Sequence, residues 1–131
     1  MDMWLSFFKP LYNDYIKLAH SYNKKIFFHS DGYILDIIPE LISMGLDAVN
    51  SQVFCMGPGK MGEKFKGKIT FWGEIDRQHL LPNGSLEEIS AAVDLLFDSF
   101  YMDGGIIAQC EFGPGANPDN IIKAFSRFNS Y

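Results

Sequence analysis

The feature that most constrains this chain is an alternation that recurs four times: a short apolar run, a few polar residues, then a stretch with helical spacing. The first run opens "KKIFFHSDGY", residues 24 to 33, and predicts a strand over 25–29. Ile26, Phe27 and Phe28 have no polar break, and a strand apolar on both faces suits a parallel sheet covered by helices. It runs into His29, Ser30, Asp31 and a turn-forming Gly32. "LDAVNSQ" is a second strand ending near Asn50 and Gln52, "KITFWGEID" a third ending near Glu74 and Asp76, and "GGIIAQCEF" a fourth ending near Cys110 and Glu111.

Helical patterns separate these strands. Trp4, Phe8, Leu11, Tyr15, Leu18 and Tyr22 follow one another at gaps of three and four, with Pro10 inside the pattern predicting a kink or a restart. "ILDIIPELISMG" reads as a helix closed by Gly45, and "GPGKMGEKFKG" as a loop and short helix closed by Gly67. "SLEEISAAVDLLFDSF" starts with a capping box of Ser85 and Glu88. In "NPDNIIKAFSRF", Asn117 is the N-cap and Pro118 the first helical position. Strands alternating with helices predict a parallel sheet with helical crossovers. A complete (β/α)8 barrel takes about 250 residues, so four units in 131 residues make about half of one. The expected fold is α/β: a small open sheet, or the C-terminal half of a TIM-type barrel whose N-terminal half lies outside the chain.

Length and composition fit one packed domain, with 47% hydrophobic residues and 12 phenylalanines. The net charge is −5, and Arg77 and Arg127 are the only arginines, which argues against a nucleic-acid partner. No apolar stretch approaches the roughly 20 residues of a membrane span, and "MDMWLSFFKP" has neither a basic leader nor a cleavage pattern. Cys55 and Cys110 lie far apart in sequence; they could pair, but nothing marks a secreted disulfide framework. These points give the expectation of a cytoplasmic protein with free thiols.

The polar residues gather at the C-terminal strand ends, where open α/β sheets and barrels place their sites. Glu74 and Asp76 are spaced for one face of an extended segment, as two carboxylates that share a proton or flank a cation would be. They are read as the catalytic pair, with Asn50, Gln52, Gln78 and Glu111 as contacts to a small-molecule substrate. The plainer reading has loop acids accepting from nearby backbone N–H groups. His29 and Asp31, at i and i+2, point the same way if the strand continues through them. Their plainer reading is a histidine bonded to a backbone carbonyl and an aspartate closing an Asx turn before Gly32. Cys110 is read either as a ligand or as a small buried apolar residue.

Three segments together resemble the uroporphyrinogen decarboxylase superfamily. "FFHSDGYILDIIPELISMGLDAVNSQ" is similar to a strand that ends in "HSCG", followed by a helix and a "GvDalN"-like strand. "ITFWGEIDRQHLLPNGSLEEI" resembles "l.f.GgIDtQ.lLp.GtpeeV", with Glu74 in place of a glycine. "GGIIAQCEFGPGANPDNIIKAF" resembles the closing "GGyIl…pp.NI.a…". The resemblance implies a (β/α)8 barrel of which this chain is the C-terminal portion. It implies one of two chemistries: cofactor-free porphyrinogen decarboxylation, or methyl transfer from a corrinoid to a zinc-bound thiol. In the methyl-transfer branch His29 matches the zinc histidine, Asp31 stands where the first cysteine is expected, and Cys110 falls about where the second does. The implied site is zinc on His29, Asp31 and Cys110, with corrinoid supplied in trans. The oxygen ligand leaves a zinc-bound thiol less nucleophilic. The methyl-transfer branch is favoured over the decarboxylase, because an acidic chain suits an octa-carboxylate poorly. A different class of reading is a non-catalytic half-barrel. In every case an open half-barrel implies self-association or a complementary N-terminal half.

Overall fold

The structure, a computed structural model, describes residues 1–131. At its centre β1 (Phe27–Ser30), β2 (Ala48–Ser51), β3 (Thr70–Glu74) and β4 (Ile106–Gln109) form one parallel sheet in the order β1-β2-β3-β4. Helix α1 (Lys9–Ser21) precedes β1, and α2 (Ile38–Ser43) joins β1 to β2. Helices α3 (Val53–Met56) and α4 (Pro58–Phe65) join β2 to β3. Helices α5 (Leu80–Asn83) and α6 (Leu86–Phe100) join β3 to β4, and α7 (Pro118–Phe128) follows β4. The expected alternation of strand and helix is present throughout. No helix is long and apolar enough to cross a membrane.

Local chemistry explains the helix ends. Ser85 and Glu88 exchange bonds, Oγ of Ser85 accepting from the Glu88 N–H at 3.2 Å and the Glu88 carboxylate from the Ser85 N–H at 2.8 Å. Asn117 accepts from the Asp119 N–H, and Pro118 follows at the first helical position, where no N–H is needed. Gly45, at φ 85°, ends α2 in a Schellman arrangement, with Leu46 N–H bonded to Leu41 and Gly45 N–H to Ile42. The helix runs through Pro10 without a break, so the expected restart is not seen. Residues Trp4–Phe8 form a π-helical turn, and the α-helix begins just before the proline.

The sheet is wound in one direction only, and right-handed crossovers then put every helix on the same face. That face carries Phe28, Val49, Phe71 and Ile106 side by side in register. Phe28 meets Tyr12 of α1 edge-on at 5.2 Å, and Phe71 stacks on Phe100 of α6 at 4.1 Å. The opposite face presents Phe27, Ala48, Thr70, Trp72 and Ile107. Phe27 and Trp72 close over the small Ala48 at 4.8 Å, yet Phe27 stays 52% exposed and Ile107 41%. The expectation of strands covered on both faces is therefore corrected: one face is covered and one is bare. The cause is the absence of a winding reversal, which run composition does not encode.

Candidate functional site

Register brings the polar side chains together. His29 lies beside Asn50, and Glu74 beside Gln109. Side chains two apart share a face, so His29, Asn50, Glu74 and Gln109 all sit on the bare face at the C-terminal ends of their strands.

Glu74 is the hub, only 3% exposed. Its Oε2 accepts from Gln52 Nε2 at 2.5 Å, and its Oε1 accepts from Asn50 Nδ2 and Gln109 Nε2, both at 3.3 Å. Burial pushes the Glu74 carboxyl above the ordinary glutamate value. The amides and the Arg77 charge pull against that push, Glu111 adds to it, and burial wins.

Asn50 is held by its own acceptors. Its NH2 faces Trp72 O at 2.9 Å, Gln109 Oε1 at 3.2 Å and Glu74 Oε1. Its Oδ1 is thereby turned to His29 Nδ1 at 2.6 Å. An amide oxygen only accepts, so Nδ1 must donate. The neutral imidazole then carries its proton on Nδ1 and keeps a free lone pair on Nε2. Nε2 lies 3.8 Å from Asp31 Oδ2, and both side chains are about half exposed.

Arg77 closes the cluster from the loop after β3. Its guanidinium donates to Asp31 Oδ1 at 2.8 Å and to Glu111 Oε2. Gln52 also reaches Asp31, at 3.5 Å. Asp31, Glu74 and Glu111 thus face one arginine, and the cluster is acidic. Two small cavities flank it, one of ≈ 260 Å³ bounded by Arg77, Gln78 and Glu111, the other of ≈ 360 Å³ bounded by Asp31, Gln52 and Gln78.

Asp76 does not join Glu74. Its Oδ1 accepts from the N–H groups of Gln78 and His79 at 2.8 and 3.0 Å, and its Oδ2 faces His79 Nδ1 at 3.1 Å. The plainer reading describes Asp76: it ties the loop that leads into α5. Ser30, rather than Asp31, closes the turn to Gly32, its Oγ accepting at 3.2 Å.

The implied zinc set does not assemble. Cys110, just past the end of β4, belongs to the hydrophobic core. Burial, and secondarily the charge of Glu74, push its thiol up to about 11. No group of three or more His, Cys, Asp or Glu side chains is placed to hold a metal ion. The donors present do not fit zinc.

Two members of the cluster escape the sequence reading. Gln109 carries a signal in retrospect, since it lies two residues after Ile107 and so on the same face of β4. Arg77 is one of two arginines in the chain and stands between acids at a strand end. No family model matches the chain, and no curated protein or solved structure does either.

Proposed function

We propose that this chain is the C-terminal half of a (β/α)8 barrel enzyme of the uroporphyrinogen decarboxylase superfamily. Its strand-end cluster carries out proton transfer on a small neutral or cationic molecule. The observation that carries the reading is the chain of bonds from Glu74 through Asn50 to His29. The three resembling segments and a one-sided parallel sheet support the barrel assignment.

Each part has a role in the chemistry. His29 Nε2 takes the proton, its geometry set by Asn50 before any ligand arrives. The imidazolium that forms is stabilised by Asp31 and keeps its Nδ1 bond. Glu74 does not touch the ligand; it positions Asn50. Arg77 is already neutralised by Asp31 and Glu111, so an added carboxylate meets net negative charge. A ligand bearing an ammonium or several N–H or O–H donors fits the cluster, and a polyanion does not. Zinc-dependent thiol activation is outside the proposal, because Cys110 is in the core.

A thermal-shift panel tests the ligand class. It contains an aliphatic diamine, a primary amide, citrate and uroporphyrin, each titrated into wild type and Glu111→Gln. The reading expects the diamine or the amide to stabilise the wild type, and the diamine's effect to fall in the variant. Stabilisation by citrate or uroporphyrin alone overturns it.

A further inference from the structure

Three acidic or amide residues in the chain stand directly before a glycine: Asp31 before Gly32, Asn83 before Gly84 and Asp103 before Gly104. In such a pair the glycine nitrogen, with no Cβ beside it, can attack the side-chain carbonyl carbon of the residue it follows. The new N–C bond closes a succinimide ring, and water leaves from an aspartate or ammonia from an asparagine. Water then opens the ring. Opening at the backbone carbonyl leaves an isoaspartate, in which the main chain runs through the former side chain. The step needs a glycine nitrogen free to turn and a side chain free to meet it.

The fold withholds both freedoms at the first pair. Gly32 N–H is bonded to Ser30 Oγ at 3.2 Å, and the Asp31 carboxylate accepts from Arg77 at 2.8 Å and Gln52 at 3.5 Å. At the second pair the glycine is clamped on both sides. Gly84 N–H donates to Leu80 O at 2.8 Å, and Gly84 O accepts from Asn120 Nδ2 at 2.9 Å. The fit is so close that a Cβ on Gly84 would lie 2.8 Å from the Leu80 oxygen. The third pair has none of this. Asp103 is exposed, and no hydrogen bond or ion pair holds its carboxylate. Gly104 N–H has no acceptor, and a Cβ on Gly104 would meet nothing within 4 Å. The loop is strained as well as open, with positive φ at Asp103, Gly104 and Gly105 in succession, 54°, 113° and 84°. Aspartate enters that region more readily than most residues with a Cβ, yet still at a cost.

We propose that the Asp103–Gly104 pair is an isoaspartate-forming site of the folded chain, left unprotected where the other two pairs are protected. Water is the only co-reactant: one molecule leaves as the ring closes and one enters as it opens, so the mass is unchanged. The product carries an extra methylene in the backbone of the loop between α6 and β4. Gly105 O in that loop accepts from Phe71 N–H at 2.9 Å, where β3 begins to pair with β4. Isomerisation therefore loosens the start of β4. This proposal does not depend on how the strand-end cluster is read.

Ageing the wild type at mildly acid pH, native and in urea, tests it. Isoaspartate at each pair is read by peptide fragmentation, and its total by enzymatic methylation of isoaspartyl carboxylates from labelled S-adenosylmethionine. The quantity compared is the native rate over the unfolded rate at each pair, so the intrinsic difference between asparagine and aspartate cancels. Each hydrogen bond that must break slows ring closure roughly fivefold. Folding is thus expected to slow the pairs at Asp31 and Asn83 about tenfold or more and to leave Asp103 near its unfolded rate. Hydrogen exchange at the Phe71 amide is expected to quicken in the isomerised fraction. Asp103→Glu, whose larger ring closes far more slowly, is expected to keep the wild-type circular dichroism and lose the native signal at this pair. Folding that slows Asp103 as much as Asp31, or a native methylation signal indifferent to Asp103→Glu, overturns the proposal.

Discussion

At the scale of single side chains, the amide of Asn50 transmits the position of Glu74 to His29. Its NH2 has three acceptors, so its oxygen is left for Nδ1. Glu74 itself sits against its own solvation. Its folded-state pKa is raised, so the native state holds that proton more tightly than the unfolded chain does. Its contribution is thus most favourable below the ordinary glutamate range and declines as pH rises through the raised value. Glu74→Gln removes that decline, and Gln52 can turn its amide to meet the new NH2. Melting temperatures of wild type and variant, taken from mildly acid to neutral pH, are expected to shift in the variant's favour as pH rises. A shift in the wild type's favour would count against a desolvated carboxyl. The two thiols separate just as clearly. Cys55 is exposed, and Cys110 is buried with its thiol pushed up to about 11. Disulfide-exchange titration of the native protein is expected to label Cys55 at once and Cys110 only on unfolding. Cys110→Ala is expected to leave zinc affinity where it was, and a loss of affinity would return Cys110 to a metal site.

Among elements, packing depends on a few close approaches. A Cβ added at Gly62 on α4 would stand 2.3 Å from the Ser99 carbonyl oxygen on α6. Neither backbone can yield cheaply, so Gly62→Ala is expected to destabilise the fold by about 1–3 kcal/mol, measured by denaturant unfolding. Asp47 ties the end of α1 and the start of β1 to β2. Burial pushes its carboxyl up, but donors from Lys25, His20 and the Ile26 N–H outweigh that and hold it at about 2. A depressed folded pKa gives stability that is fully present above the ordinary value of 3.8 and lost as pH falls toward 2. Asp47→Asn is therefore expected to flatten the acid limb of the stability profile between about pH 4 and 2, and an unchanged limb would remove Asp47 from that role. Helix starts at Ser85 and Asn117 were legible in the sequence because a cap is local chemistry. Helix α2 begins four residues later than the pattern predicts, since Ile34 to Ile37 make a turn before Pro39. Which stripe of α1 packs inward was not legible: both stripes are apolar, and the choice depends on where β1 lies.

Over the whole molecule, the one-way winding of the sheet produces the candidate site. It sends the helices to one side and leaves His29, Asn50, Glu74 and Gln109 on the other, at the strand ends the sequence had marked as polar. The sequence could mark those ends because the switch from apolar to polar is visible along the chain. The resemblance grouped Cys110 with His29, and the i, i+2 spacing grouped Asp76 with Glu74, although β3 ends at Glu74 and the chain turns before Asp76. The net charge of −5 and an acidic cluster make the chain a poor host for a polycarboxylate. Incubation of the isolated chain with uroporphyrinogen is accordingly expected to give no product above background, and turnover would refute the charge argument. The central claim is that Asn50 fixes the proton of His29. Long-range proton–nitrogen correlation on the nitrogen-15-labelled chain, at a pH where His29 is neutral, reads this directly. The account predicts a proton on Nδ1 with Nε2 bare in the wild type, and loss of that preference in Asn50→Ala. A wild-type His29 with its proton on Nε2, or a tautomer indifferent to Asn50, would contradict it.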